Sequence, residues 1–201
     1  MKHLRCLFLL CLIFFSNFLS AHPHIFIDCS ADFVFDRNGL AGITIDWLFD
    51  EGYSSSIIYD YDKDEDGSFC AGEIKMIEKE SFSNLKNFSY FTHLSSAGKA
   101  YDVKSVRDFS VEITTGRVRY IFFVPYVVCA GSSCKNVELS MHDETYYTTM
   151  AYVKKDPVRF KNSSQYVCGF KIIEDKNDSY YFGQIFPKKI IMEFKRRNEQ
   201  K

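Results

Sequence analysis

Residues 24–49 read HIFIDCSADFVFDRNGLAGITIDWLF, and this stretch decides the fold. Apolar and polar residues partly alternate from His24 to Phe35, which is the pattern of a half-buried strand. Asn38-Gly39 is a turn signal for a β-hairpin, and residues 40–49 read as the returning strand. The sequence therefore predicts an antiparallel strand pair near the start of the folded part of the chain.

A helical period replaces this alternation after the hairpin. Apolar residues recur every four positions from Phe49 through Tyr53 and Ile57 to Tyr61. A second apolar set runs from residue 74 to residue 88, with a spacing that also fits a helix. Such spacings place side chains on one face of a helix. The sequence predicts two helices, one on each side of a short acidic segment.

The acidic segment has the pattern of a twelve-residue calcium loop of EF-hand type, residues 62–73. Calcium binds six to eight oxygen atoms, and a loop of this kind supplies them from one short segment. Gly67 at the sixth position permits the sharp turn, and Phe69 at the eighth anchors the loop to the core. The expected calcium ligands are Asp62, Asp64, Asp66, Ser68 through its carbonyl, and Glu73.

Two features of this loop favour a weak, structural calcium site over a calcium sensor. Cys70 occupies the ninth position, which usually acts through a water, and a thiol is a poor partner for calcium. The sequence also contains no second loop, whereas sensors commonly pair them. We therefore interpret the calcium as stabilising the fold.

Strand-like runs return after the second helix, separated by turn signals such as Thr115-Gly116. The expected fold class is α+β, mainly an antiparallel β-sandwich with one EF-hand-like helix–loop–helix insertion. The expected domain covers residues 22–175. The predicted strands are residues 90–94, 106–114, 117–128, 135–142, 146–153 and 164–173.

The C-terminal segment, residues 176–201, is interpreted as a basic tail outside this domain. Residues 188–201 hold six basic and two acidic residues around a few apolar ones. We favour a solvated last helix for this part. The functional alternative is a basic surface element that touches anionic lipid or a membrane partner.

The first 21 residues carry the features of a secretory signal. Lys2 and Arg5 make a basic start, residues 6–18 are almost wholly apolar, and the small Ala21 ends the run. The apolar run is shorter than the roughly 20 residues of a membrane span, which favours cleavage over an uncleaved anchor. The sequence predicts a mature chain that starts at His22 in a periplasmic or other extracytoplasmic compartment.

Five cysteines remain after this cleavage, and an oxidising compartment allows disulfides. Cys129 and Cys134 flank a turn-like tetrapeptide, so they are the first candidates for a bridge, with zinc binding as the alternative. Cys29 with Cys168 is a weaker candidate pair. An odd number leaves at least one thiol over, and we assign this role to Cys70.

Four histidines also remain, and neutral imidazole is the commonest protein ligand for zinc, nickel and copper. We interpret His22 and His24 as candidate ligands, with His142 or Asp143 completing a tetrahedral site. The alternative is a flexible terminus and a separate turn in which Asp143 accepts backbone hydrogen bonds. His93 is interpreted as isolated and structural.

Several short motifs occur in an order that resembles a known family. They are His22-Pro23-His24, Trp47-x-Phe49-Asp50-Glu51, the loop of residues 62–73, Tyr90-Phe91-Thr92 and Asp143-x-Thr145-Tyr146-Tyr147. Over about residues 22–175 they resemble the bacterial periplasmic family DUF1007, which includes ZevA-like zinc-uptake proteins.

The resemblance implies a periplasmic accessory to a divalent-metal transporter, often found beside NicO-type nickel/cobalt permeases. The positions that match the family are His22, His24 and Asp143. The chain departs from the family in having Glu144 where proline is common, and in its extra cysteines.

The leading functional hypothesis is a protein that binds zinc, or nickel or cobalt, for a polytopic membrane permease and that calcium stabilises. The main alternative is a calcium-stabilised interaction or scaffold module without transition-metal handling. The chain contains no nucleophile elbow, phosphate loop or enzyme-like Cys/His pair, so we expect no enzyme. A copper enzyme with an N-terminal histidine is a third hypothesis, and Pro23 counts against it because it removes the amide that a simple copper clasp needs.

The charge balance of the chain indicates which classes of binding partner to expect. After cleavage 23 basic and 26 acidic residues give a net charge of −3, and this gives no reason to expect nucleic acid.

Overall fold

The computed structural model describes residues 24–131 and 133–197. Its first two strands are β1, Ile25–Phe35, and β2, Gly39–Phe49, and they pair antiparallel as the sequence predicts. The Asp36 carboxylate accepts hydrogen bonds from the N–H groups of Asn38 and Gly39 and so closes the turn. A Cβ at Gly39 would lie 2.3 Å from the Val128 carbonyl oxygen, so only glycine fits at this position.

The elements after this hairpin follow in a simple order. Helix α1 is Glu51–Tyr61, helix α2 is Ala71–Glu80, and a 3₁₀ segment covers Phe82–Phe91. The remaining strands are β3 Thr92–Ser96, β4 Lys99–Tyr101, β5 Arg107–Thr114, β6 Arg117–Cys129, β7 Lys135–Met141, β8 Thr148–Tyr152, β9 Val158–Lys161, β10 Tyr166–Glu174 and β11 Lys188–Arg196.

The strands form two sheets. The first has the order β5-β6-β2-β1-β8, with β9 also paired to β1, and the second has the order β10-β11-β7-β3-β4. Strands β8 and β9 run parallel to β1, and the other pairs are antiparallel. The α+β class with mainly antiparallel strands is confirmed. None of the described helices has the length and apolar character needed to cross a membrane.

One hydrophobic core draws side chains from both sheets. In β6 every second residue from Val118 to Tyr126 is buried, which is the period of a strand with one face on the core. Phe35 of the first sheet packs against Tyr166 and Phe194 of the second, with ring centroids 5.0 and 5.1 Å apart. Each such buried side chain contributes about 1.5–3 kcal/mol of hydrophobic stabilisation.

The C-terminal segment differs from the sequence prediction. Residues 188–196 are strand β11, which lies between β10 and β7 inside the second sheet. Ile190, Met192 and Phe194 are completely buried, so a solvated helix is the wrong interpretation and the domain extends to Arg196. Three of the four apolar residues of this segment are therefore in the core, and the face left for a surface contact carries Ile191 among charged residues.

The second predicted helix is shorter than expected. Helix α2 ends at Glu80, and Leu85 and Phe88 belong to the 3₁₀ segment. The Ser83 hydroxyl and the Asn84 amide donate to the carbonyls of Glu78 and Glu80, and such side-chain bonds compete with helix continuation. Residues 89–91 then take positive φ values near 50°, which turn the chain into β3.

The described cysteines are free. Cys129 ends β6 and Cys134 precedes β7, and both thiols are exposed, so the predicted bridge between them is not formed. Cys29 is buried in the first sheet, and Cys168 belongs to β10 of the second.

Asp50 begins helix α1 and connects it to the first strand. Its Oδ1 accepts the N–H groups of Gly52 and Tyr53 at 2.8 and 3.1 Å, and its Oδ2 accepts the Phe26 N–H at 2.7 Å. Burial alone would raise the pKa of Asp50, but the hydrogen bonds from Phe26, Tyr53 and Gly52 outweigh it and lower the pKa. Asp50 is thus the N-cap of helix α1, whereas Asp46 pairs with Arg119.

We expect Asp50→Ala to lower the free energy of unfolding by about 1–2 kcal/mol at neutral pH, because the cap and the tie to β1 are both lost. The folded-state pKa is depressed, so this stabilisation is present above the unfolded pKa of about 3.9 and is lost as pH falls through the folded value. Urea unfolding of the parent and Asp50→Ala at pH 7 and at about pH 2, a pH below the folded-state pKa, measures the difference. A difference that is equal at both pH values would contradict an ionised cap.

Candidate functional site

The acidic segment forms a compact loop between the two helices. Helix α1 ends at Tyr61 and α2 begins at Ala71, so the chain is helical on both sides as predicted. Gly67 has a φ of 80°, a conformation that favours glycine, and a Cβ there would meet nothing within 4 Å. The turn therefore requires glycine for its backbone conformation and not for lack of space.

Three carboxylates of this loop converge. One oxygen each of Asp62, Asp64 and Asp66 lies within 4.8 Å of the other two. Asp62 is only 8% exposed; its Oδ2 accepts the Gly67 N–H at 3.1 Å, while its buried Oδ1 has no hydrogen-bond partner among the described residues. A buried carboxylate oxygen without a partner is costly, and a cation or a proton donor at this point would remove that cost.

Glu73 closes the loop from the side of helix α2. Its Oε1 accepts the Lys63 N–H at 2.7 Å and its Oε2 accepts the Cys70 N–H at 2.8 Å. These hydrogen bonds, that of Lys63 first, lower the pKa of Glu73, so the carboxylate is ionised. Glu73 lies outside the group of three carboxylates described above. Phe69 packs against the hydrophobic core, as the sequence predicts.

Ser68 stabilises the middle of the loop. Its N–H and its hydroxyl both donate to Asp66 Oδ1, at 2.8 and 2.7 Å. Four of the five predicted calcium ligands, Asp62, Asp66, Ser68 and Glu73, therefore take part in hydrogen bonds within this loop.

A second polar cluster lies beside the end of strand β7. His93 of β3 and His142, the first residue after β7, stack their rings with centroids 3.9 Å apart and an interplanar angle of 13°. One ligand atom of each, together with a carboxylate oxygen of Glu144, lies within 4.8 Å of the other two. The three side chains face a cavity of about 200 Å³, which Asn87, Ser89 and Phe91 also line.

This cluster changes the interpretation of the histidines. His93 stacks on His142, so the prediction that it is isolated was wrong. His22 lies outside the described residues. His24 is exposed, with its ring 4.9 Å from that of Tyr147, and it does not join the cluster.

Asp143 organises the loop between β7 and β8. Its Oδ1 accepts from the N–H and hydroxyl of Thr145 at 2.9 and 2.7 Å, and its Oδ2 accepts the Thr148 N–H at 3.0 Å. The side chain is buried and its oxygens are engaged, which matches the turn interpretation of this residue. Among the described residues, His142 belongs to the cluster, and His24 and Asp143 do not. The predicted site of His22 and His24 with His142 or Asp143 stays a prediction, because His22 lies outside the described residues.

An apolar cavity of about 300 Å³ lies next to these loops, between the first sheet, helix α1 and the 3₁₀ segment. Trp47, Tyr53 and Tyr120 are among the aromatic residues that line it. Trp47 Nε1 and the Tyr120 hydroxyl are buried without a hydrogen-bond partner among the described residues.

Comparison with known proteins yields a family and relatives. The model of the family described as "Protein of unknown function (DUF1007)" matches residues 7–190. The chain is 31% identical over 131 residues to "Uncharacterized 15.5 kDa protein in trpE 3'region" of Spirochaeta aurantia, covering 65% of this chain and 93% of that protein. It is 27% identical over 200 residues to an "Uncharacterized protein" of Haemophilus influenzae, covering 90% of this chain and 95% of that one.

Proposed function

The chain belongs to the DUF1007 family, and from this premise we propose that it is an exported metal-binding accessory protein, stabilised by calcium, that binds a divalent transition metal for a membrane permease. The metal bound for transport is zinc, or nickel or cobalt. The calcium occupies the loop of residues 62–73.

The observation that carries the calcium assignment is the buried Asp62 Oδ1. This oxygen has no hydrogen-bond partner among the described residues. One carboxylate oxygen each of Asp62, Asp64 and Asp66 also lies within 4.8 Å of the other two. Three anionic groups at this separation repel one another, and a divalent cation bound by oxygen both removes the repulsion and supplies the missing partner. A solvated acidic turn would instead leave Asp62 exposed to water.

The donor set fits calcium and not a softer metal. Asp62, Asp64, Asp66 and Glu73 offer carboxylate oxygens, and Ser68 offers its carbonyl, whereas Cys70 adds no oxygen. Each Glu73 oxygen accepts one backbone N–H and keeps a second lone pair for the ion. A single loop with a thiol at the ninth position corresponds to a structural site in a calcium-rich exterior.

Export and the permease partner rest on the sequence. The basic start and apolar run of residues 1–21 are the features of a secretory signal, and they lie outside the described residues. The permease is proposed as the partner because the chain resembles metal-transport accessory proteins. The basic residues of the C-terminal strand are candidates for contact with the membrane surface.

One observation favours the alternative, a calcium-stabilised interaction module without transition-metal handling. Two aromatic residues of the segment between β10 and β11 are exposed, Phe182 at 91% and Phe186 at 41%, and the half-buried Tyr181 lies beside Phe182. Exposed aromatic groups of this kind are typical of contact surfaces.

The test is a calorimetric titration of chelator-treated mature protein, first with calcium and then with zinc. We expect one calcium ion per chain and, in the calcium-saturated protein, one zinc ion. One calcium without any zinc, nickel or cobalt would favour the interaction module. A chain that binds no calcium would contradict the calcium assignment.

A further inference from the structure

We propose that His93, His142 and Glu144 form the binding site for the divalent transition ion, in the cavity of about 200 Å³ beside strands β3 and β7. This inference rests on the proposed function and identifies its ligands. It differs from the expected site of His22 and His24 with His142 or Asp143, because His24 and Asp143 are not among the three side chains whose ligand atoms converge.

The hydrogen bonds of each histidine leave one ring nitrogen free. His93 Nε2 lies 3.2 Å from the His142 carbonyl oxygen. A carbonyl oxygen only accepts, so Nε2 carries the hydrogen and Nδ1 of His93 keeps its lone pair. A histidine whose second nitrogen donates to a backbone carbonyl is the usual arrangement of a metal ligand.

Ser140 fixes the second imidazole in the same way. Its hydroxyl donates to the Lys188 carbonyl at 3.2 Å, so its oxygen accepts from His142 Nδ1 at 3.0 Å. The free lone pair of His142 is therefore on Nε2. Both rings thus have a defined tautomer and one nitrogen available to an ion.

The electrostatics keep His142 neutral. Burial, with smaller contributions from His93 and Lys189, lowers the pKa of His142 to about 3. The Lys189 ammonium is itself paired with the carboxylates of Glu138 and Asp175, so its charge is compensated nearby. A neutral imidazole is the form that binds a metal.

The donor set indicates the class of ion. Two imidazole nitrogens and one carboxylate oxygen suit zinc and its neighbours nickel and cobalt, whereas calcium prefers oxygen alone. Three protein ligands leave a fourth position open, and Glu144 is exposed at the solvent side of the buried His142. An open and accessible site can exchange its ion, which is what delivery to a permease requires.

Binding has a structural consequence that can be observed. The two rings are stacked within 13° of parallel, while a tetrahedral ion needs their lone pairs to converge. The angle between the planes of the two rings must therefore increase when the ion binds. The ring-proton NMR signals of His93 and His142 should shift together at one equivalent of zinc, and those of His24 should stay in place.

The experiment measures zinc affinity by competition with a chromophoric chelator, in calcium-saturated mature protein. We expect His93→Gln and Glu144→Gln each to weaken binding by at least the roughly 10- to 100-fold that loss of a supporting residue costs at such sites. His24→Gln is the matched control and should bind as the parent does. Glu144→Gln changes an exposed side chain and so reports on the site even if substitutions at the histidines affect folding, which thermal melts will show.

The outcomes separate this site from the proposed function. Parent-like zinc binding by the folded double variant His93→Gln/Glu144→Gln would overturn the site and direct attention to His22 or to Cys129 and Cys134. A parent that binds no zinc, nickel or cobalt would overturn the site and the transition-metal function together.

Discussion

Saturating calcium is expected to raise the melting temperature of the mature protein by roughly 5–11 °C. At about 100 times its dissociation constant, an ion that binds only the folded state adds about 2.7 kcal/mol to the free energy of unfolding. For a domain of this size each kcal/mol corresponds to roughly 2–4 °C. The physical source is the buried Asp62 Oδ1 and the repulsion among the three loop carboxylates, which the ion relieves together.

The loop offers a matched control for this prediction. Asp62→Asn and Glu73→Gln should each remove most of the calcium-dependent shift, because each replaces an anionic ligand by a neutral amide. Glu65→Gln makes the same charge change within the loop at an exposed residue that is not an expected ligand, and it should keep the shift. Scanning calorimetry with calcium and with chelator measures all four proteins. Equal melting temperatures of the parent in both solutions would refute a stabilising calcium site.

The second large effect is expected at Trp47. This side chain is completely buried on β2, and its ring contacts that of Phe122 edge-on, with centroids 4.8 Å apart. Trp47→Ala would enlarge the adjacent apolar cavity of about 300 Å³ and lower the free energy of unfolding by about 3–5 kcal/mol. The melting temperature should fall by roughly 6–20 °C. Urea or thermal unfolding measures this loss.

Trp47→Phe distinguishes the contribution of the buried ring from that of the indole N–H at the same position. Trp47 Nε1 has no hydrogen-bond partner among the described residues, so its removal deletes an unsatisfied donor and costs no hydrogen bond. The Phe variant should therefore lose less than about half of what the Ala variant loses. Equal losses in the two variants would show that Nε1 has a partner and that packing is not the main contribution.

The parts of the fold that the sequence predicts best are local. The hairpin depends on a strand pattern and on Asn38-Gly39, and the structure forms it with the Asp36 side chain closing the turn. The helix–loop–helix segment is likewise contiguous, so its position could be read directly. In both cases the interacting residues are close in sequence, and turn chemistry fixes their geometry.

The sequence analysis did not predict strand β11, because the segment does not show the clean alternation of apolar and polar residues that indicates a strand. Ile190, Met192 and Phe194 alternate into the core, but Ile191 is also apolar and basic residues stand at both ends. A half-buried central strand with an apolar outer residue lacks clean alternation, and its basic flanks suggested a tail. What makes this segment a strand is its pairing with β7 and β10, a tertiary interaction.

The histidine cluster could not be predicted for a related reason. His93 and His142 are far apart in sequence and meet because β3 pairs with β7, which sets Thr92 opposite Met141. No spacing rule connects residues on strands whose pairing is unknown. His22 and His24 are predicted as a ligand pair because one residue separates them, and closeness along the chain is the only kind of proximity that a sequence displays.

The most direct test of the whole account is the metal content of the mature protein, recovered from the extracytoplasmic compartment without a chelator or a metal-binding tag. Elemental analysis by mass spectrometry should find close to one calcium ion per chain and one zinc, nickel or cobalt ion. Protein carrying His93→Gln/Glu144→Gln should keep the calcium and lose the transition metal, and Asp62→Asn should lose the calcium. A parent protein that contains neither class of ion would contradict the account.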